Sequence, residues 1–235
     1  MTITLFAAIA CAVIAAGFAQ GATGIGFAMI AAPVIGYLRP DAMPGLVLML
    51  MIPLNGYVVW RHWRAIDRAS AGWVTSGRLM GTFGGLAVLA LLPVTALNQL
   101  IGASIILAVL ASVAAPNFAP GNKAFIAAGL VTGVTETATG VGGPPLALVY
   151  QHHQPHVLRP TIAICFLVGE LLSLAFLAAA GHLSMGQFYF ALLLLPAIAL
   201  GIGASRLAHD FIDARTLRII VLAFAMVSGV LLLWP

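Results

Sequence analysis

Gly21-Ala22-Thr23-Gly24-Ile25-Gly26 interrupts an apolar stretch that otherwise runs from residue 3 to residue 38. Three glycines in six positions break a helix, because glycine loses the most backbone freedom on ordering. A near copy lies in the second half, where Ala138-Thr139-Gly140-Val141-Gly142 interrupts residues 121–152. The two motifs align at an offset of 116 residues (138 − 22). The same register pairs Gly17 with Gly133, Gln20 with Glu136 and Pro44 with Pro160. A register that holds from Gly17 to Pro44 marks an internal repeat. The sequence therefore reads as two halves, about 1–117 and 118–235, each a broken element followed by three helices.

Around these breaks the chain is overwhelmingly apolar. Of its 235 residues, 62% are hydrophobic and 7% are charged, against roughly 25% charged in a soluble domain. So few charges cannot cover a water-soluble surface, and disorder requires low hydrophobicity. Long continuous apolar runs, in place of short alternating ones, argue against a β-barrel. The expected fold class is an all-α polytopic membrane protein. A hydrocarbon core of about 30 Å takes about 20 residues per helix. Segments near that length are 44–60, 72–92, 96–114, 158–179, 185–205 and 216–234. The pieces after the breaks, 27–38 and 144–152, are too short to cross. Pro144 and Pro145 suit the first turn of a new helix, where a missing N–H costs little. About eight to ten membrane segments result.

Charge decides between parallel and inverted halves. If each broken element crosses once, Arg61, Arg64, Arg68 and Lys123 lie on one side and Arg39, Arg159, Arg206, Arg215 and Arg218 on the other. That distribution favours no orientation. If each broken element returns as a hairpin, the second half is inverted. Arg61, Arg64, Arg68, Lys123, Arg159, Arg206, Arg215 and Arg218 then share one side, against Arg39 alone. Such a bias is the positive-inside signature, so the expectation is two inverted repeats with both termini outside the cytoplasm. The net charge of +4 is accounted for by orientation, and no nucleic-acid partner is expected.

Non-helical backbone at membrane depth must face protein or a wet cavity. Two related breaks predict two such stretches meeting in one site, where the helix that follows each break offers free N–H groups and the positive end of its dipole. The expected ligand is a small anion. Its candidate binding residues are Gln20, Thr23, Gly24, Gly26, Thr139, Gly140, Gly142 and Gly143, with Arg78 as an attracting charge. The competing reading is that these glycines only permit close helix crossings. Glu136 and Glu170 fall inside apolar segments, where carboxylates are costly and usually functional; both are candidates for carrying a coupling proton. A helix–helix hydrogen bond is the competing role for each, and snorkelling to the interface is the competing role for Arg78. Asn55 reads as a helix–helix hydrogen bond. His152, His153 and His156 have no carboxylate or cysteine partner, so no metal site is expected. Cys11 and Cys165 read as small apolar core residues. There is no nucleotide-binding, metalloprotease or serine-hydrolase motif, and no cofactor or enzymatic activity is expected.

Taken together, Gly21-Ala-Thr-Gly-Ile-Gly-Phe27 and Gly133-Val-Thr-Glu-Thr-Ala-Thr-Gly-Val-Gly-Gly-Pro-Pro145 resemble the glycine-rich signatures of the sulfite exporter TauE/SafE family, also called toluene sulfonate uptake permeases. Gly140, Gly142, Gly143 and Pro144 carry the likeness best, while Phe27 stands where a further glycine or small residue is common. The resemblance covers essentially the whole chain. It implies a multi-pass transporter in a bacterial inner membrane, moving sulfite, sulfonates or related anions by alternating access, with proton coupling as an option. A passive anion channel on the same scaffold is the rival reading. Membrane lipid is an expected partner, and a homodimer is left open.

Overall fold

The computed structural model describes residues 3–23, 26–113, 120–151, 153–207 and 214–233. The described residues form ten α-helices and two 3-10 turns, with no strand. In chain order they are α1 (Ile3–Thr23), α2 (Phe27–Leu38), α3 (Gly45–His62), α4 (Arg68–Leu91) and α5 (Val94–Val113), then α6 (Asn122–Thr139), α7 (Gly143–Tyr150), α8 (Pro155–Ala179), α9 (Met185–Leu207) and α10 (Ala214–Leu233). The chain is an all-α polytopic membrane protein. Ile3–Ala22, Arg68–Leu91, His156–Ala179 and Met185–Leu207 are each long and apolar enough to cross a bilayer. Large side chains such as Leu193, Leu200 and Leu231 stand outward, as a lipid-facing surface requires.

Local chemistry sets the ends. Asp67 caps α4, its side chain accepting from the backbone N–H of Ala69 and Ser70 at 3.2 and 3.3 Å. Gly140 ends α6 at φ 75, a left-handed conformation suited to glycine, and its N–H returns to the Glu136 carbonyl at 2.8 Å. Gly26 sits at φ 129 before α2. Gly143, Pro144 and Pro145 open α7.

Contacts between helices fix their directions. Gly17 of α1 lies against Ile198 of α9 and Gly21 against Ile202, so α1 and α9 run parallel. Gly77 of α4 lies against Ile126 of α6 and Gly81 against Leu130, so those two also run parallel. Gly45, at the start of α3, meets Leu183 beyond the end of α8, whereas the Asp67 N–H bonds Thr161 near the start of α8; α3 and α8 are antiparallel. Gly142 folds back onto Glu136 and Thr132, and Tyr150 reaches Phe125, so α6 and α7 form a hairpin. Phe27 N–H bonds the Gln20 side chain, and Gly36 meets Asn98 near the start of α5, so α1 and α2 form the matching hairpin. Every helix therefore reverses the one before it. With five helices in each half, each helix of the second half runs opposite to its counterpart in the first. The pairings correspond as well: α1 packs on α9 as α6 packs on α4, and α3–α8 and α5–α10 pair across the middle.

Candidate functional site

The two glycine breaks border one cavity of about 470 Å³. The first contributes Gln20, Gly26 and Phe27 to its wall, and the second contributes Val141, Gly142 and Gly143. Most of the remaining wall is apolar, including Met51, Leu54, Ile162 and Phe166. Asn55 adds an amide. The ionised groups among the lining residues are Arg159 and Arg206, with no carboxylate beside them. Both arginines lie at the ends of helices where Arg61, Arg64 and Arg68 also sit. Arg206 donates to the Tyr57 hydroxyl at 2.9 Å and stacks over that ring at 5.4 Å.

The expected binding residues divide into three groups. Gln20, Gly26, Gly142 and Gly143 line the cavity. Gln20 Oε1 accepts from the Phe27 N–H at 3.1 Å, so it caps the start of α2 as well as facing the site. Thr139 and Gly140 are buried at the hairpin tip but do not line the cavity. The Thr139 hydroxyl donates to the Thr135 carbonyl at 2.7 Å and accepts from the Val141 N–H at 3.2 Å, which fixes the turn. Gly24 and the Thr23 side chain lie outside the described residues. The helix ends are also unequal as anion sites. Pro144 and Pro145 remove two N–H groups from the first turn of α7, while Ala28 and Met29 of α2 keep theirs and border the cavity.

Arg78, Glu136 and Glu170 are fully buried together, behind the cavity wall. Arg78 Nη2 donates to Glu136 Oε2 as a buried ion pair. Its guanidinium also lies 5.5 Å over the Phe166 ring. Asn55 Nδ2 donates to Glu170 Oε1 at 2.6 Å. Arg78 Nε and Nη1, Glu136 Oε1 and Glu170 Oε2 find no hydrogen-bond partner among the described protein atoms. Arg78 does not snorkel, and it does not border the cavity. Asn55 is the helix–helix bond that the sequence suggests, and it is a cavity residue besides.

One position, Gly169, escapes sequence reasoning, and so does the packing role of a second, Gly142. Gly169 leaves the space that the guanidinium fills, since a Cβ there would stand 1.9 Å from Arg78 Cζ. Gly142 does the same for Glu136, with a Cβ placed 2.8 Å from its Oε2. No spacing rule links Gly169 to Arg78, because the demand comes from a side chain on another helix. At the basic end, Asp67 is drawn upward by partial burial, but hydrogen bonds from Ser70 and Ala69 and the nearby His153 ring hold it below the usual carboxylate range.

Spanning helices, backbone broken where it meets a cavity, and ionisable groups buried behind that cavity are those of a multi-pass membrane protein, in an arrangement that transporters share. The family model described as Sulfite exporter TauE/SafE matches residues 9–232, and the chain belongs to that family. No curated protein and no solved structure matches the chain.

Proposed function

We propose that the protein is a secondary transporter of small sulfur-containing anions in the bacterial inner membrane, working by alternating access and coupled to protons. Residues 1–117 and 118–235 are its two inverted repeats. The observation that carries this reading is the cavity between the two breaks, whose charged wall residues are Arg159 and Arg206 from the basic helix ends. Gathering of the basic residues at one end supports a cytoplasmic position for that end. A cavity of about 470 Å³ with a largely apolar wall exceeds what bare sulfite needs and suits an organic sulfonate, its charge toward the arginines and N–H groups and its body on Met51, Leu54 and Ile162. Gln20, Gly26, Gly142 and Gly143 contact the substrate, and Glu136 and Glu170 belong to the proton machinery. The test is counterflow in proteoliposomes: unlabelled arenesulfonate trapped inside drives saturable uptake of labelled arenesulfonate. Flux that neither saturates nor shows counterflow overturns the carrier reading.

A further inference from the structure

Four polar side chains from four helices meet behind the cavity wall: Asn55 from α3, Arg78 from α4, Glu136 from α6 and Glu170 from α8, none more than 3% exposed. Asn55 alone of the four also lines the cavity. One guanidinium therefore faces two carboxylates, and a buried site tolerates an unbalanced charge only at large cost. Arg78 bonds Glu136 directly. Glu170 is held by an amide, which orients it but supplies no charge. The other titratable groups around α8 do not change this balance. Cys165 is on α8 itself, Tyr150 of α7 is bonded to the Ser70 hydroxyl at 2.9 Å, and Arg64 of the 3-10 turn stacks on Trp63. α3 brings Asn55 and no titratable group to this level.

We propose that Glu170 carries the transported proton and that Asn55 is the positioning residue joining it to the anion in the cavity. This rests on the proton-coupled transport reading above. An anion in the cavity stands one side chain away from Glu170. A Glu170 carboxylate repels it through Asn55, and a Glu170 carboxyl does not. Protonation and anion binding therefore favour each other, and linkage makes the two effects equal. On release the proton leaves Glu170 Oε2 for water admitted to the buried cluster during the transport cycle, and a carboxylate remains; no other bond changes. Anion and proton travel together, so net transport runs toward the more alkaline compartment.

The experiment uses the purified full chain in liposomes with labelled toluenesulfonate as probe. Wild type accumulates label on the alkaline side of a pH step, and its affinity for the probe tightens by up to about tenfold per pH unit as pH falls, the limit for one linked proton. Glu170→Gln and Asn55→Leu lose both pH-driven accumulation and the pH dependence of affinity, whatever level of counterflow each retains. Asn55→Gln, which retains the amide, recovers part of each. Accumulation and pH dependence that survive in Asn55→Leu overturn the assignment of Asn55, and their survival in Glu170→Gln overturns the proton site. Where Asn55→Leu does not fold, an unchanged pH profile in Asn55→Asp overturns it instead. Counterflow in wild type with no response to pH removes proton coupling itself, and absence of all flux removes the transport reading; both differ from the failures above.

Discussion

The α4–α6 and α1–α9 contacts occupy corresponding places in the two halves, yet they are built differently. In α4–α6 an added Cβ at Gly77, Gly81 or Gly129 would stand 2.0, 2.1 and 2.1 Å from the backbone oxygens of Ile126, Leu130 and Val74. Backbone meets backbone along several turns, and the Arg78–Glu136 pair lies within the same contact. In α1–α9 backbone meets backbone this closely at Gly201, where a Cβ would stand 2.3 Å from the Ile14 oxygen, whereas at Gly17 it would stand 3.1 Å from the Ile198 oxygen, a distance that small shifts absorb. Gly21 meets the Ser205 side chain, which can rotate. Gln20, at the place of Glu136, is neutral. Repeated close backbone contact and a buried ion pair make α4–α6 the more fixed contact, while α1–α9 is uncharged and concentrates its close backbone approach at Gly201. The difference places charge on the rigid side and compliance beside the first break.

The sharpest way to break this comparison is to remove the charge. Arg78→Met strands Glu136 in a buried site and should lower stability by about 3–5 kcal/mol, while Arg78→Met with Glu136→Gln should recover most of that loss. Thermal unfolding in detergent measures both. An Arg78→Met protein as stable as wild type would mean that the pair holds nothing together. A single polar change at Gln20, such as Gln20→Leu, should cost far less, because it strands no charge.

Glycine substitutions probe the same contrast sterically. Gly81→Ala forces a Cβ into the Leu130 carbonyl and should cost about 3 kcal/mol, at the upper end for overpacking. Gly17→Ala should cost less than about 1 kcal/mol, since alanine also favours the helix. Gly21→Ala falls between, and Gly21→Ala with Ser205→Ala should return close to wild type, because the obstructing atom is removed with the hydroxyl. Equal losses for Gly81→Ala and Gly17→Ala would erase the distinction between rigid and compliant sides.

How far the sequence reaches follows the same division. The breaks are legible because glycine and proline act locally: the expected piece 27–38 is α2 (Phe27–Leu38), and the piece at 144–152 is α7 within two residues at each end. The hairpin reading also follows from charge, through the bias of basic residues that the helix directions reproduce. The partnership of Arg78 and Glu136 is not legible, since the residues lie 58 apart and each apolar segment reads alone. Gly169 is harder still, because its role exists only once the guanidinium of another helix stands against it. Thr139 shows a third limit: a hydroxyl that spacing offers to a ligand is spent on its own turn.

The smallest effects come from the helix ends that frame each side. Asp67 caps α4 on the rigid side, and Asp67→Ala should cost about 1 kcal/mol. On the compliant side, Arg39 bonds Asp41 at 2.7 Å and lies 5.7 Å over the Phe190 ring of α9, while Gln187 donates to the Asp41 carbonyl at 2.8 Å. The hydrogen bond from Arg39 holds the Asp41 carboxyl below the usual carboxylate range. A lowered folded-state value means that the bond contributes fully above the ordinary carboxylate range and is lost as pH falls through the lowered value. Asp41 is largely solvent-exposed, so the contribution stays within roughly 0.2–1 kcal/mol and shrinks with added salt. Asp41→Asn should leave stability near neutral pH slightly reduced and flatten its decline between about pH 5 and 3. An Asp41→Asn protein as stable as wild type near neutral pH, with an acid profile unchanged from wild type, would move the anchoring of the compliant side from the ion pair to the Phe190 ring.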